Sequence, residues 1–306
     1  MIIPETHHFN KYVKPTVELV LSLLASAYED ELKLDKILKE LSDDVFAELE
    51  KELRLLEKNG KIKLDEPFDL RRNGAVYQAL KRIETLQLRR FTDYIWMGAQ
   101  VIGESMTRSY KNTMDATYVM FNYTKAQDPY NITSKHNNDI AVLLKDTHIY
   151  ETAVKVPWCQ DGKTYSDRLY GHVANFQSKL AFVLEEGINK GKGMEWMKEA
   201  WQKLTGSTAY ATSRLLKTET MAMWSLATKE AYLEMGIEYV VMVGDAMCGG
   251  ICLDYVDNEP VRLADAYVGD MLPPYHPNCA CSYVAYEETE RVPIDELDEF
   301  LLDEEY

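Results

Sequence analysis

The sequence predicts an α+β protein that is predominantly α-helical, in which a helical N-terminal region precedes a helical domain that ends in a small β/zinc-knuckle-like Cys/His module. Two observations predict this class. Apolar residues recur at three- and four-residue spacing through most of the chain up to Met235, and β-branched segments come after it. A length of 306 residues allows about two domains. We therefore predict a helical region at 1–156, a domain at 157–286 and an acidic tail at 287–306.

The first helical region spans residues 14–60, where Leu34, Ile37, Leu38 and Leu41 share one face of a helix. Ser42-Asp43-Asp44 is a typical helix start, so we expect a new helix at Val45–Lys58. Asn59-Gly60 is a typical stop for that helix. The simplest role for this region is a scaffold or a docking arm.

A second helical pattern runs from Gly74 to about Lys125 and is rich in aromatic residues, which is typical of a core or an oligomer interface. It carries a basic cluster of four residues, namely Lys81, Arg82, Arg89 and Arg90. Such a cluster is more typical of a solvated helix face than of a nucleic-acid groove. Asp128–Asn138 has the composition of a loop, and Ile140–Val156 is a mixed segment that includes a candidate strand. We place a domain boundary near Pro157.

The segment after Pro157 predicts three helices and two strands. The helices are Thr164–Glu186, Met194–Leu204 closed at Gly206, and Ser207–Met235, which ends at Gly236 as a C′ glycine. The strands are Ile237–Val243 and Cys281–Tyr286.

The charge balance is acidic, with 34 basic and 50 acidic residues and a net charge of −16. The segment 287–306 holds ten acidic residues and one basic residue, so much of the negative charge lies in this tail. The net charge of the rest of the chain is unremarkable. An acidic balance disfavours general nucleic-acid binding. The first residues lack a basic stretch followed by an apolar core, so we expect no signal peptide. No apolar run reaches the roughly 18 residues of a membrane span.

Five residues form a candidate metal site: Cys248, Cys252, His276, Cys279 and Cys281. Two short-spaced ligand groups separated by a loop suit a tetrahedral zinc ion, and four protein ligands make it structural. Five candidates for four positions leave at least one bystander. Reduced core thiols and a disulfide remain alternatives to zinc.

Several familiar catalytic motifs do not occur, namely GxSxG, a Walker A loop and GxGxxG. We therefore predict no catalytic residues, no further cofactor and no enzymatic activity.

Three stretches in the second half carry a resemblance to a known family. They are Trp158–Tyr170, Ser213–Thr220, and the cysteine segments Asp245–Cys252 and Pro273–Cys281. In their order and spacing they are similar to the phage minor head proteins, the Mu F-like head-morphogenesis family. The family usually has an arginine where this chain has Ala280, and its cysteine knuckle is often tighter.

The resemblance implies a minor structural protein of a tailed-phage head. Such proteins are expected in the procapsid and virion, inside the head near the portal, and in the host cytoplasm during assembly. The implied partner is the portal protein, and major capsid or scaffolding proteins and phage DNA are further candidates. The implied role is in procapsid assembly and in DNA packaging or delivery, with no membrane partner.

Two other functions are open at this point. One is a zinc-knuckle nuclease acting in DNA packaging, suggested by the Cys/His cluster. The other is a non-specific DNA-binding internal head protein, whose basic surface would come from Lys81–Arg90 and Lys190–Lys203. In the tail, Ile294, Leu297, Phe300 and Leu301 recur at helical spacing, which favours either a solvated tail or a short helix that docks on a basic partner.

Overall fold

The structure is a computed structural model, and its fold is α+β and predominantly α-helical, as predicted. It describes residues 12–54, 57–58, 61–62, 74–126, 157–159, 161–190, 192, 194–244, 251–256 and 259–286. Several predictions concern residues outside these ranges and stay predictions. They are those on the segment 128–156, on Asp245 and Cys248, and on the acidic tail.

The first helix, α1, spans Val13–Arg54 without the predicted restart after Ser42. The Ser42 hydroxyl caps no helix. It is buried, accepts a hydrogen bond from the Trp201 indole at 2.6 Å and lies 2.8 Å from the Thr205 hydroxyl. A serine satisfied by tertiary contacts no longer competes with the helix backbone, which is why the local start signal was misleading.

The predicted end of that helix was also wrong. α1 ends at Arg54, and the antiparallel strands β1 (Glu57–Lys58) and β2 (Lys61–Ile62) follow. The Asn59-Gly60 pair lies between these strands in the chain. An Asn-Gly pair is a strong hairpin signal as well as a helix stop, and the antiparallel strands on either side of it agree with the hairpin signal.

Helix α2 spans Gly74–Ala126 and α3 spans Tyr165–Asn189, both close to the predicted bounds. α3 buries the apolar stripe that predicted it: Leu169, Val173, Phe176, Leu180 and Leu184.

Helix α4 spans Met194–Glu234 as one element, so the predicted break at Gly206 is wrong. A glycine inside a helix costs about 1 kcal/mol relative to alanine. Buried side chains on both sides of Gly206 offset that cost, among them Trp201 and Thr208. The predicted C′ glycine is confirmed, because Gly236 follows α4 with a φ of 76°.

A three-stranded antiparallel sheet follows α4. Its strands are β3 (Tyr239–Val243), β4 (Val261–Arg262) and β5 (Ser282–Ala285), and β3 lies in the middle. Val240 pairs with Val261 on one side and with Ala285 on the other. The short helix α5 (Ile251–Val256) contacts β3. Both predicted strands are therefore confirmed, with bounds shortened by one or two residues.

The chain divides into two compact units that do not follow the linear order of the three predicted parts. Unit 1 comprises Met1–Leu23, Ser109–Thr147 and Met221–Tyr306, and unit 2 comprises Leu24–Arg108 and His148–Thr220. The predicted boundary near Pro157 stays a prediction.

Each unit has an aromatic core. In unit 1, Tyr283 makes edge contacts with Trp224 and Tyr232, and Tyr232 makes one with Phe121. In unit 2, Trp201 contacts Phe46 and Phe176 in the same manner, and Phe176 contacts Phe91. Edge contacts of this kind add about 0.5–1.5 kcal/mol each beyond area burial.

Candidate functional site

Three predicted ligands come together in unit 1. The sulfurs of Cys252, Cys279 and Cys281 all lie within 4.8 Å of one another, and all three side chains are 1% exposed. Cys252 comes from the first turn of α5, and Cys281 immediately precedes β5. These three cysteines, which we call the cysteine centre, lie close enough to hold a metal ion.

A tight turn places Cys279. Its N–H donates to the His276 carbonyl at 3.1 Å, and Asn278 takes a left-handed φ of 65°. Asparagine is among the few residues that tolerate this conformation. The turn brings Cys279 Sγ to 3.7 Å from Cys252 Sγ.

Hydrogen bonds within the centre favour the thiolate form of Cys279. A contact with the Cys281 side chain is the largest influence, and backbone N–H groups and Cys252 act in the same direction against the effect of burial. Together they lower the pKa of Cys279 to about 5. Thiolates are the form of cysteine that binds metals.

His276 is the fourth predicted ligand among the described residues. Its Nε2 lies 3.1 Å from Cys252 Sγ, while the group within 4.8 Å contains the three sulfurs alone. The imidazole therefore touches the centre at one sulfur. Cys248 is the fifth predicted ligand and lies outside the described residues.

Tyr275 covers part of the cysteine centre. It packs against the three cysteines, and the Tyr255 ring stacks on the Tyr275 ring at 4.1 Å between ring centroids, nearly parallel. Tyr275 is anchored by its hydroxyl, which donates to the Met271 carbonyl at 3.2 Å and contacts Met242 Sδ. Burial is the main reason why the pKa of Tyr275 is raised. Tyr275 therefore contributes to the burial of the sulfurs.

Two of the alternatives left open by the sequence can be compared with this geometry. A disulfide needs its sulfurs about 2.05 Å apart, and the described cysteines form none. Reduced core thiols and a metal centre are both compatible with the burial. The 3.7 Å separation of the Cys252 and Cys279 sulfurs fits a hydrogen bond between two thiols, and it also fits two thiolates bound at about 2.3 Å to a tetrahedral zinc, which lie about 3.8 Å apart.

A second cluster, in unit 2, was missed from the sequence. Glu219 on α4 is 1% exposed, and its carboxylate accepts hydrogen bonds from Trp158 Nε1 at 2.6 Å and Arg168 Nη1 at 3.0 Å. Arg168 also donates to Asp161 Oδ1 at 2.8 Å and to the Lys163 carbonyl, and its guanidinium lies over the Trp158 ring. We call these residues the carboxylate cluster.

Residue spacing along the helix does not predict the partner of Glu219. The sequence predicts no pair between Arg214 and Glu219, which lie five residues apart on one helix, and favours a face shared by Arg214 and Thr218 that contacts a neighbouring loop. The structure instead places Arg214 over the Tyr210 ring, and Thr218 donates to the Arg214 carbonyl. The true partner of Glu219 is Arg168, 51 residues earlier.

In the carboxylate cluster one guanidinium, that of Arg168, faces two carboxylates. Burial raises the pKa of Glu219, and the Trp158 hydrogen bond and the Arg168 charge oppose that effect. A backbone hydrogen bond from Lys163, aided by Arg168, lowers the pKa of Asp161. A buried carboxylate with these partners is suited to holding two chain segments together.

The basic cluster of α2 is partly neutralised by α1. Arg82 pairs with Glu52 at 2.9 Å, and Arg90 pairs with Asp44 at 3.2 Å. These pairs offset the charge of two of the four basic residues, and the choice between a solvated helix face and a nucleic-acid groove stays a prediction. Lys190, in the second basic segment, pairs with Glu186.

Comparison with protein-family models finds no matching family, and comparisons with curated proteins and with solved structures find no significant similarity. Within the described ranges, none of the helices combines the length and the apolar character that a bilayer crossing requires.

Proposed function

We propose that this chain is a minor structural protein of a tailed-phage head, which associates with the portal protein and acts in procapsid assembly and in DNA packaging or delivery. It works in the virion and, during assembly, in the host cytoplasm. The proposal begins with the resemblance of its three stretches to the Mu F-like head-morphogenesis family. On this proposal the chain is not an enzyme.

One observation carries the proposal. Trp158 and Arg168 belong to the first stretch of the resemblance and Glu219 to the second, and the three side chains meet in one buried cluster. If the residues of a family motif serve to hold the fold together, they are expected to contact one another. The carboxylate cluster is a contact of that kind, which supports a structural role for these motif residues.

We propose zinc as the ion of the cysteine centre. Three thiolates and an adjacent imidazole are ligands that zinc prefers, and Mg²⁺ or Ca²⁺ would require oxygen ligands. The 3.7 Å separation of Cys252 and Cys279 sulfurs fits the expected 3.8 Å. When bound, such an ion supplies a cross-link between α5 and the turn before β5.

Quantitative mass spectrometry of gradient-purified procapsids and virions tests the proposed function. We expect this chain at a low, fixed ratio to portal protein in both particles. Its absence from both would contradict the assignment.

A DNA cleavage assay tests the non-enzymatic part of the proposal. We expect the purified, zinc-loaded protein to leave duplex DNA intact. Metal-dependent cleavage that is abolished by His276→Ala would instead support the nuclease.

A further inference from the structure

We propose that His276 is the fourth metal ligand, through Nε2, and that it completes a Cys₃His centre with Cys252, Cys279 and Cys281. The inference rests on the proposed zinc in the cysteine centre. It deepens that proposal by assigning four ligands among five candidates.

The hydrogen bonding of His276 prepares Nε2 for this role. Its Nδ1 lies 2.9 Å from the Pro277 carbonyl, which can only accept a hydrogen bond. Nδ1 therefore carries the proton in the neutral ring, and the lone pair stays on Nε2. Metal-binding histidines commonly donate their other ring N–H to a carbonyl or carboxylate, because this sets the tautomer and the ring orientation.

The same Nε2 atom contacts the cysteine centre at one sulfur, so the imidazole has to move closer to the other two sulfurs when a metal ion binds. Nε2 lies 3.1 Å from Cys252 Sγ, a distance at which the thiol donates to the nitrogen. A metal ion can replace that shared proton, since sulfur and nitrogen then both act as ligands. No other described histidine contacts these cysteines: His172 lies on α3, in unit 2.

The chain around His276 is also held in place. Tyr275 precedes it and is anchored by its hydroxyl and by stacking on Tyr255. The backbone of His276 closes the turn to Cys279. The imidazole is thereby confined to the rim of the centre, where only part of it is buried.

Charge favours His276 over a fourth cysteine. Three thiolates around Zn²⁺ leave a net charge of −1, and a fourth thiolate would make it −2. The three sulfurs are almost fully buried, and burying additional unpaired charge is costly. A neutral imidazole fills the last position without adding charge. The closed coordination then leaves no position for water, as in other structural zinc sites.

Cobalt binding to four variants of the full chain tests the assignment. Co²⁺ reports ligand type and geometry in its visible spectrum, and competition with Zn²⁺ gives the affinity. The variants are His276→Ala, His276→Cys, Cys248→Ser and Cys159→Ser, the last as a control for removing a cysteine that lies in unit 2. Far-UV circular dichroism checks that each variant is folded.

We expect one tetrahedral ion per chain in wild type, with unchanged spectrum and affinity in Cys248→Ser and Cys159→Ser. His276→Ala should weaken binding at least tenfold. His276→Cys should bind cobalt more tightly than His276→Ala but less tightly than wild type, and should increase the sulfur-to-cobalt charge-transfer absorption.

Two results would overturn the inference. Loss of the tetrahedral spectrum in Cys248→Ser, with His276→Ala unaffected, would make Cys248 the fourth ligand. Failure of wild type to bind cobalt or zinc would remove the metal centre altogether. Neither result changes the expected presence of the chain in phage particles, so the structural assignment is tested separately.

Discussion

The two clusters of motif residues use different means to hold the chain. The carboxylate cluster contains both positive and negative side chains, and Arg168 donates hydrogen bonds directly to Glu219 and Asp161. The cysteine centre contains three sulfurs and a neighbouring imidazole, which bring no cation of their own. The comparison teaches that the first cluster can stabilise unit 2 unaided, while the second, on the proposed zinc assignment, makes part of unit 1 dependent on a ligand.

Removing Arg168 should have the largest effect on stability. In Arg168→Met, Glu219 stays buried without its cationic partner, and breaking such a buried pair costs about 3–5 kcal/mol. The free energy of unfolding, measured by urea denaturation, reports the loss. The double variant Arg168→Met/Glu219→Leu should recover most of it, because a buried pair replaced by apolar residues is often neutral.

An exposed ion pair provides the matched control. Arg262 and Asp265 pair at 3.1 Å with both side chains mostly exposed. Arg262→Met should change the free energy of unfolding by less than about 1 kcal/mol. An equal loss in Arg168→Met and Arg262→Met would contradict the importance of burial.

Zinc should stabilise the protein through the cysteine centre. At a free zinc concentration 100 times Kd, binding to the folded state adds about 2.7 kcal/mol to the free energy of unfolding. Denaturation with zinc and with a chelator measures the difference. Cys279→Ser should abolish the response and Cys159→Ser should retain it. A zinc response that survives Cys279→Ser would place the ion elsewhere.

Packing contributes to the docking of β5 independently of the metal. Tyr283 is fully buried, donates to the Ser225 carbonyl and makes an edge contact with Trp224. Tyr283→Phe should cost about 1 kcal/mol, the net value of a typical hydrogen bond, with and without zinc. Tyr286→Phe, at an exposed position, is the control. A loss for Tyr283→Phe seen only with zinc would mean that the metal governs this contact.

The smallest expected effect concerns His172 and pH. Burial lowers the pKa of His172 below its ordinary value of 6.5, and the nearby Arg214 charge acts in the same direction. The unfolded chain therefore binds a proton more readily, and stability should fall as pH drops below about 6.5. His172→Gln should reduce this slope in urea denaturation between pH 5.5 and 7.5. An unchanged slope would show that other groups dominate.

Periodicity predicted much of the fold, because the helices bury regular apolar stripes. It failed at Ser42 and Gly206, where local stop and start signals lie inside long helices. At Ser42 a buried contact from elsewhere in the chain decides the outcome, namely the hydrogen bond from Trp201. At Gly206 the burial of neighbouring residues on the same helix offsets the cost of the glycine. Local sequence does not contain that information.

The candidate site was predictable in part for a similar reason. Short spacing pointed to the three cysteines that the structure brings together and to the neighbouring His276. Glu219 and Arg168 lie 51 residues apart, and no local spacing predicts their pairing. The proposed choice of four ligands among five candidates rests on the hydrogen bond of His276 to Pro277, which depends on backbone geometry.

Hydrogen exchange of the zinc-loaded and the chelated protein, followed by mass spectrometry of peptides, tests the contrast between the clusters most directly. We predict that chelation accelerates amide exchange in peptides covering 251–256 and 272–286. Exchange in peptides covering 158–170 and 213–220 should not change. Equal acceleration in all four segments, or no acceleration in any, would contradict the account.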